Sequence, residues 1–183
     1  LKMRKNEFIK ETFKNMFLYQ NINQLPTGID KITISSTLEK DTSLKHITKV
    51  SALLEILTGQ RSFLLRARSS NIFLKRKKGV PVGSKVTLRK NRALLFHFIL
   101  LYEIFPQFKE INIPFTLKKI ERFRDNFILS IENPLFFKEL KDFYFFFKDV
   151  QSLKIVSSFK KSRSLHETYL YTRCYKVPLK SKS

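Results

Sequence analysis

The sequence has almost none of the residues that form covalent cross-links or zinc sites. Cys174 is its single cysteine, which excludes a disulfide within this sequence and a cysteine-rich zinc site. The histidines His46, His97 and His166 are scattered and lack the spacing of zinc ligands. We therefore expect no metal ion and no cofactor, and a fold held together by an apolar core, for which 183 residues are long enough.

Long apolar runs and flexible linkers are also missing. The longest apolar run, Ala93 to Leu101, is interrupted by His97 and is far shorter than the roughly 20 residues of a membrane-spanning helix, so we expect no membrane anchor. With only 4 glycines and 6 prolines, no glycine- or proline-rich linker divides the chain. We predict a basic N-terminal helix over residues 1–20, followed by a single α+β domain over residues 21–183.

Acidic residues are absent from Glu55 to Glu103, and the whole chain carries a formal net charge of +21. The same stretch holds many cations, namely Arg61, Arg66, Arg68, Lys75, Arg76, Lys77, Lys78, Lys85, Arg89, Lys90 and Arg92. A solvated surface does not need to exclude carboxylates in this way, whereas binding to nucleic-acid phosphate does benefit from it. Anionic membranes are a second class of polyanion, but the charge lies on predicted strands and a loop, and only weakly on an amphipathic helix.

Hydrophobic periodicity predicts mixed helices and strands. We predict strands at residues 31–36, 63–68, 85–89, 126–131 and 153–159, and helices at residues 44–57, 92–105 and from Ser164 to before Pro178. Gly59 is expected to end the first of these helices, Asn91 to cap the second and Pro106 to stop it. The irregular order predicts an α+β fold with a mainly antiparallel sheet and helices packed on one face.

The two strands of the acid-free stretch form a predicted hairpin with one apolar and one largely basic face. Phe63 and Leu65 alternate with Leu64 and Arg66, while Val86 and Leu88 alternate with the polar set Lys85, Thr87 and Arg89. Residues 75–83 are predicted to be the connecting loop, with Gly79, Pro81 and Gly83 as turn residues. The aromatic run from Phe143 to Phe147 is assigned to the core by default, and an edge buried against a partner is the alternative.

No pattern indicates catalysis. The loop from Gly79 to Lys85 has the wrong glycine spacing for a nucleotide-binding loop. Ser164, His166 and Glu167 are too close in sequence for a hydrolase triad, and the carboxylates after residue 130 alternate with lysines as surface pairs do. We therefore predict no catalytic residue and no enzymatic activity.

Several motifs together resemble the universal large-subunit ribosomal protein "L five" family, which binds 5S rRNA in the central protuberance. They are Thr58-Gly59-Gln60, Ala67-Arg68, Gly79-Val80-Pro81-Val82-Gly83-Ser84-Lys85-Val86-Thr87-Leu88-Arg89, and weaker matches at Asn21 to Pro26, Phe123 to Phe127 and Ser164 to Pro178. The resemblance covers the chain from about residue 16 to 178. Two departures are Ser35-Ser36-Thr37 in place of Asn-Met-Gly, and Lys78 in place of an acid.

The resemblance implies which residues bind RNA. It assigns Gln60, Thr87 and Arg89 to 5S rRNA, and the loop of Lys75, Arg76, Lys77 and Lys78 to peptidyl-site tRNA. The basic pattern adds Arg61, Arg66, Arg68 and Lys85 as contacts to rRNA phosphate, which position RNA without reading its bases.

The sequence therefore favours a structural protein of the large ribosomal subunit. Its expected partners are 5S rRNA or its replacement, large-subunit rRNA, peptidyl-site tRNA, and neighbouring proteins of the central protuberance and the small-subunit head. The abundance of residues with AT-rich codons favours an organelle, with the mitochondrial matrix as the predicted location and the plastid as the alternative. A standalone organellar RNA-binding or RNA-maturation factor and a nucleic-acid-processing enzyme are the alternative functions.

Overall fold

The computed structural model describes Glu11 and residues 28–38, 43–73, 76–108, 115–120, 124–150 and 152–160. The helix predicted for residues 1–20, apart from Glu11, and the helix predicted from Ser164 lie outside the described residues. The division of the chain at residue 20 therefore stays a prediction.

The described elements follow one another in a mixed order. They are β1 (Gly28–Thr37), α1 (Leu44–Thr58), β2 (Phe63–Arg66), β3 (Pro81–Arg89), α2 (Lys90–Ile99), a π-helical turn (Leu100–Ile104), α3 (Phe105–Phe108), β4 (Phe115–Ile120), β5 (Arg124–Ile131), a 3-10 turn (Pro134–Phe136), α4 (Lys138–Lys141), α5 (Tyr144–Phe147) and β6 (Leu153–Lys160).

The strands form one sheet in the order β2-β3-β1-β6-β5-β4, and every neighbouring pair is antiparallel. Strand β1 lies in the middle, paired with β3 on one side and with β6 on the other. Helices α1 and α2 pack against β1 and β3, and their buried side chains join one core with those of the sheet. This arrangement confirms the predicted α+β fold with an antiparallel sheet.

Strand alternation divides the sheet into a core face and an opposite face. On β1, Ile32 and Ile34 are buried beneath the helices, whereas Lys31, Thr33 and Ser35 point the other way. Helix α1 contributes the stripe Ile47, Val50, Leu53, Leu54 and Leu57, and it ends at Gly59, whose φ of 59° is the left-handed geometry of a helix C-cap. The predicted helix and its end at Gly59 are thus confirmed, and Leu44 at its start is exposed.

Three local predictions were wrong. Helix α2 begins at Lys90 and its N-cap is Arg89, so Asn91 lies inside the helix and does not cap it. Strand β3 already begins at Pro81, so Pro81 and Gly83 belong to the strand instead of the connecting loop. Pro106 lies inside α3 and does not stop the helix that begins at Lys90. The π-helical turn directly precedes α3. Because Pro106 has no backbone N–H, the regular α-helical hydrogen bonds cannot continue through this position. No described helix is long and apolar enough to span a membrane.

The aromatic run also departs from its prediction. Only Phe147 is buried, while Phe143, Tyr144, Phe145 and Phe146 are exposed. The run forms a single helical turn, α5. Successive residues of a helix point about 100° apart, so one short turn cannot direct five rings into the core.

Gly83 allows the backbones of β1 and β3 to approach closely. It lies opposite Thr37, and a Cβ placed on it would approach the Thr37 Cα to 2.9 Å and the Ser36 carbonyl oxygen more closely still. Both obstacles are backbone atoms of the central strand, which cannot move aside as a flexible side chain could.

We expect Gly83→Ala to destabilise the protein by about 1–3 kcal/mol, the usual cost of overpacking. Ser70→Ala, at an exposed position of the same hairpin, is the control and should change the free energy of unfolding by less than about 0.5 kcal/mol. Urea denaturation of the two variants and the parent measures the difference. Equal midpoints for all three proteins would contradict the close-packing argument.

His97 on α2 is buried among apolar neighbours in sequence. Burial lowers the pKa of His97 from 6.5 to about 4, because the charged imidazolium loses its hydration in the core. The folded chain therefore keeps His97 neutral at pH values where the unfolded chain protonates it.

Stability should consequently fall on acidification from about pH 6.5 to pH 4. The unfolded state binds the extra proton in this window, and the loss attributable to His97 should reach about 3 kcal/mol at pH 4. The measurement is the difference in unfolding free energy between the parent and His97→Leu at pH 7 and at pH 4. A difference that is the same at both pH values would show that His97 does not titrate in this way.

Candidate nucleic-acid interface

The face opposite the helices is polar and basic across β3, β1 and β6. We call the set Lys31, Thr33, Ser35, Lys85, Thr87, Arg89, Lys154 and Val156 the open face. All eight side chains are at least partly exposed, and none is acidic. Toward β5 the residues on the same side of the sheet are no longer exposed, since Ile128, Asn126 and Ser158 are buried.

Cross-strand pairing sets the spacing of the charges on the open face. Ser35 lies between Lys85 on β3 and Lys154 on β6. The two lysine Cα atoms are therefore separated by two strand spacings, roughly 10 Å. The small side chain of Ser35 thus lies between two long cationic side chains.

A second row brings two cations into direct opposition. Lys31 and Arg89 are cross-strand partners. Like charges in this position are destabilising by roughly 0.2–1 kcal/mol, because their Cβ atoms lie close together. A bound polyanion would reduce the repulsion between these two cations, because its negative charge would lie beside both of them.

Phe63 joins the open face from the edge strand β2. It lies opposite Lys85, and the Lys85 Nζ is 5.5 Å from the centre of its ring. The predicted apolar side of β2 thus lies on the basic side of β3, so the assignment of faces in β2 was wrong. An exposed ring beside a cation is a platform on which an unpaired base can stack.

The turn after α1 places Gln60 beside β3. The Thr58 hydroxyl donates to the Leu54 carbonyl at 2.7 Å and accepts from the Gln60 backbone N–H at 3.3 Å, which fixes the turn. The Gln60 Nε2 then donates to the Thr87 carbonyl at 3.4 Å. Gln60 and Thr87, both assigned to RNA by the sequence, are brought together in the structure.

The predicted arginines lie along the outer edge of the same region. Arg61 precedes β2, Arg66 ends it and Arg68 follows it, and all three are exposed. The register of β2 against β3 shifts by one residue between Leu65 and Arg66, which interrupts the alternation there. Arg66 and Arg68 are therefore available at the start of the connecting loop.

The connection between β2 and β3 is a long, hydrogen-bonded extension of the hairpin. We call its described residues, 67–73 and 76–80, the projecting loop. The Ala67 backbone N–H donates to the Val80 carbonyl at 2.9 Å. Asn71 and Arg76 exchange two backbone hydrogen bonds of 2.9 Å each. The end of the projecting loop thus lies beyond Asn71, and Gly79, with φ of 89°, adopts a conformation that favours glycine.

The described residues next to the end of the projecting loop are apolar and exposed. Ile72 is 89% and Phe73 97% exposed. Of the four residues predicted to face tRNA, Lys77 and Lys78 are exposed on the returning arm, and Lys75 lies outside the described residues. Arg76 is only partly exposed and donates from its guanidinium to the Leu38 carbonyl, so it braces the loop against the end of β1.

Three residues of this surface were missed from the sequence. Lys31 and Lys154 belong to strands far apart in the chain, and only the pairing of β1 with β3 and β6 brings them beside Lys85. Phe73 gave a signal, an aromatic residue within a basic loop, that went unused. Among the described residues, no group of three or more His, Cys, Asp or Glu side chains could hold a metal ion.

Comparison with known proteins gives consistent results. No family model matches the chain. It is similar to the large ribosomal subunit protein uL5 of Buchnera aphidicola, with 31% identity over 144 residues and 74% of each chain covered. It is also similar to the large ribosomal subunit protein uL5m of Reclinomonas americana, with 30% identity over 158 residues and 85% of each chain covered.

A third relative, uL5 of Blochmanniella floridana, is 27% identical over 166 residues, which cover 90% of this chain and 84% of that protein. These matches cover 74% to 90% of the chain and agree with the family resemblance found in the sequence. The chain belongs to the uL5 family of large ribosomal subunit proteins.

Proposed function

We propose that this protein is a structural component of the large ribosomal subunit that binds rRNA through its open face. The observation that carries the proposal is the acid-free row of cations across β3, β1 and β6, which belongs to a chain of the uL5 family. Its work is to neutralise phosphate and to hold RNA in position, not to catalyse a reaction.

The RNA is 5S rRNA or the large-subunit rRNA that replaces it in the central protuberance. Lys85, Arg89 and Lys154 contact phosphate because their long side chains extend from one face of the sheet. Thr87 and Gln60 supply hydrogen-bonding groups at the edge of the same surface. Phe63, held beside Lys85, is placed to stack on an unpaired base.

The projecting loop contacts peptidyl-site tRNA. Lys77 and Lys78 attract the tRNA phosphates, and the exposed Ile72 and Phe73 pack on a ribose or base at the end of the loop. The anchoring of Arg76 to Leu38 supports this role, because a braced loop loses less conformational entropy when it binds.

The ribosome in question is mitochondrial. The uL5m relative from Reclinomonas americana and the abundance of residues with AT-rich codons both favour this location. Fractionation of cells that express a tagged chain tests the proposal directly. We expect the tagged chain to sediment with the large subunit of the mitochondrial ribosome; sedimentation free of ribosomes would overturn the proposed function.

Removing cations from the open face should weaken RNA binding in a salt-dependent way. For Lys85→Ala, Arg89→Ala and Lys154→Ala, we expect the slope of log affinity against log salt concentration to fall by about 1 for each lost phosphate contact. The measurement is filter binding of the full chain to RNA extracted from the large subunits that contain it.

The matched control is Lys45→Ala, which removes one exposed cation from α1 on the helical side of the sheet. We expect its affinity and salt slope to equal those of the parent. Lys45→Ala, Lys85→Ala and Lys154→Ala should keep their unfolding free energy within about 0.5 kcal/mol, as exposed substitutions usually do. Arg89→Ala should not lower it, because this change removes the repulsion between Arg89 and Lys31. A Lys45→Ala effect as large as that of Lys154→Ala would show that only the net charge matters.

The two kinds of residue on the projecting loop should separate in a tRNA-binding experiment. The double variant Lys77→Glu with Lys78→Glu should weaken peptidyl-site tRNA binding most strongly at low salt, because it replaces attraction by repulsion. Phe73→Ser should weaken binding by about 1–3 kcal/mol at every salt concentration, the size of one lost stacking contact.

The experiment uses purified ribosomes that carry each variant, and Ser69→Ala on the same loop is the control. If tRNA affinity is unchanged in both loop variants while the variants remain incorporated, the projecting loop does not contact tRNA. The proposed binding of rRNA by the open face would be unaffected by that outcome.

A further inference from the structure

The turn between α1 and β2 is held by a carboxylate that precedes it in the chain. We call residues 59–62 the α1–β2 turn. One oxygen of the Glu55 carboxylate, Oε1, accepts from the Ser62 backbone N–H at 3.0 Å and from the Ser62 hydroxyl at 3.1 Å. The Glu55 backbone carbonyl also accepts from the Gly59 N–H at 2.8 Å. Glu55 therefore binds the first and the last residue of the turn.

A neighbouring hydroxyl completes the contacts of Ser62. Because a carboxylate can only accept, the Ser62 hydroxyl uses its single proton in the bond to Glu55. The Ser51 hydroxyl, four residues before Glu55 on α1, then donates to the Ser62 oxygen. Hydrogen bonds to a charged acceptor are roughly twice as strong as those between neutral groups. Ser62, which directly precedes β2, is therefore fixed against α1.

The α1–β2 turn carries side chains that the proposed function assigns to RNA or places beside it. Gln60 and Arg61 lie within the turn, and Phe63 follows it as the first residue of β2. The Gln60 side-chain amide reaches a carbonyl oxygen of β3 at 3.4 Å, and the Phe63 ring lies beside the Lys85 cation. Ser62 stands between Arg61 and Phe63 in the chain, so a movement of Ser62 would displace both of its neighbours.

The charge of Glu55 opposes RNA binding, whereas its hydrogen bonds favour it. Glu55 is exposed and borders the acid-free stretch of the sequence, and a carboxylate near RNA repels phosphate. Electrostatics alone therefore predicts that RNA binds more tightly once this carboxylate is removed. Loss of the contacts that hold the turn predicts weaker binding. The two effects have opposite signs, so the direction of the change separates them.

We propose that Glu55 is a positioning residue for RNA binding. It does not touch RNA; its carboxylate holds the α1–β2 turn so that Gln60, Arg61 and Phe63 are in place before RNA arrives. A turn that is ordered in advance loses less conformational entropy on binding. The inference rests on the proposed binding of rRNA by the open face, and it adds a residue of α1 that lies outside that face.

Two substitutions separate the acceptor oxygen of Glu55 from its charge. Glu55→Ala and Glu55→Gln remove the same negative charge, but glutamine keeps a side-chain carbonyl oxygen that can accept from the Ser62 N–H. In filter binding of the full chain to RNA from the large subunit, we expect Glu55→Ala to bind about 2- to 10-fold more weakly than the parent, the effect of having to order one more side chain. Glu55→Gln should bind as tightly as the parent. The control Glu139→Ala removes an exposed carboxylate from α4 and should not weaken binding.

Hydrogen exchange of the Ser62 backbone amide reports on the turn itself. This amide donates to the Glu55 carboxylate, so it should exchange about ten-fold faster in Glu55→Ala than in the parent. In Glu55→Gln the exchange rate should return toward that of the parent, since the acceptor oxygen is present again. Cooperative thermal unfolding of each variant shows that the rest of the protein is folded.

Each outcome decides one claim. Equal or tighter RNA binding by Glu55→Ala, equal weakening in both Glu55 variants, or weaker binding without faster exchange would overturn the positioning role. The rRNA binding of the open face would survive any of these results, provided that Lys85→Ala and Lys154→Ala still weaken it. If those two variants bind as the parent does, the proposed function of the open face fails as well. Support requires weaker binding and faster exchange in Glu55→Ala, with both restored in Glu55→Gln.

Discussion

The antiparallel register of the central strand β1 is the constraint on which the rest of the structure depends. Pairing of Ile32 with Leu88 and of Thr33 with Thr87 directs one set of side chains into the core and the other onto the open face. Because strand side chains alternate strictly, a slip by one residue would bury Lys31 and Lys85 and expose the apolar set. Gly83 protects this register, since its missing Cβ lets β3 approach the backbone of β1.

The same register concentrates charge at a cost to folding. Lys31 faces Arg89 directly, and Lys85 and Lys154 flank a small serine. Within an isolated protein these cations repel one another, whereas beside phosphate each gains a counterion. In the proposed function the sheet thus serves as a rigid support whose cations are already at phosphate-binding positions before RNA arrives.

The two sides of the sheet carry different kinds of exposed side chains. Basic and hydroxyl groups lie on the open face, and the projecting loop extends from the same hairpin with Ile72 and Phe73 exposed. The helical side carries the exposed rings of Phe143, Tyr144, Phe145 and Phe146 in a segment of nearly balanced charge. The sheet separates these two kinds of surface.

The sequence by itself determined the fold class, the central strand, helix α1 with its glycine stop, and the basic hairpin. These are local features, because alternation, helical periodicity and capping each act over a few residues. Only the tertiary structure decided which strands lie beside the hairpin, and therefore that Lys31 and Lys154 join Lys85. It also decided that Arg76 braces the loop and that four of the five aromatic residues stay outside the core. Those outcomes depend on contacts between segments distant in sequence, which local patterns do not encode.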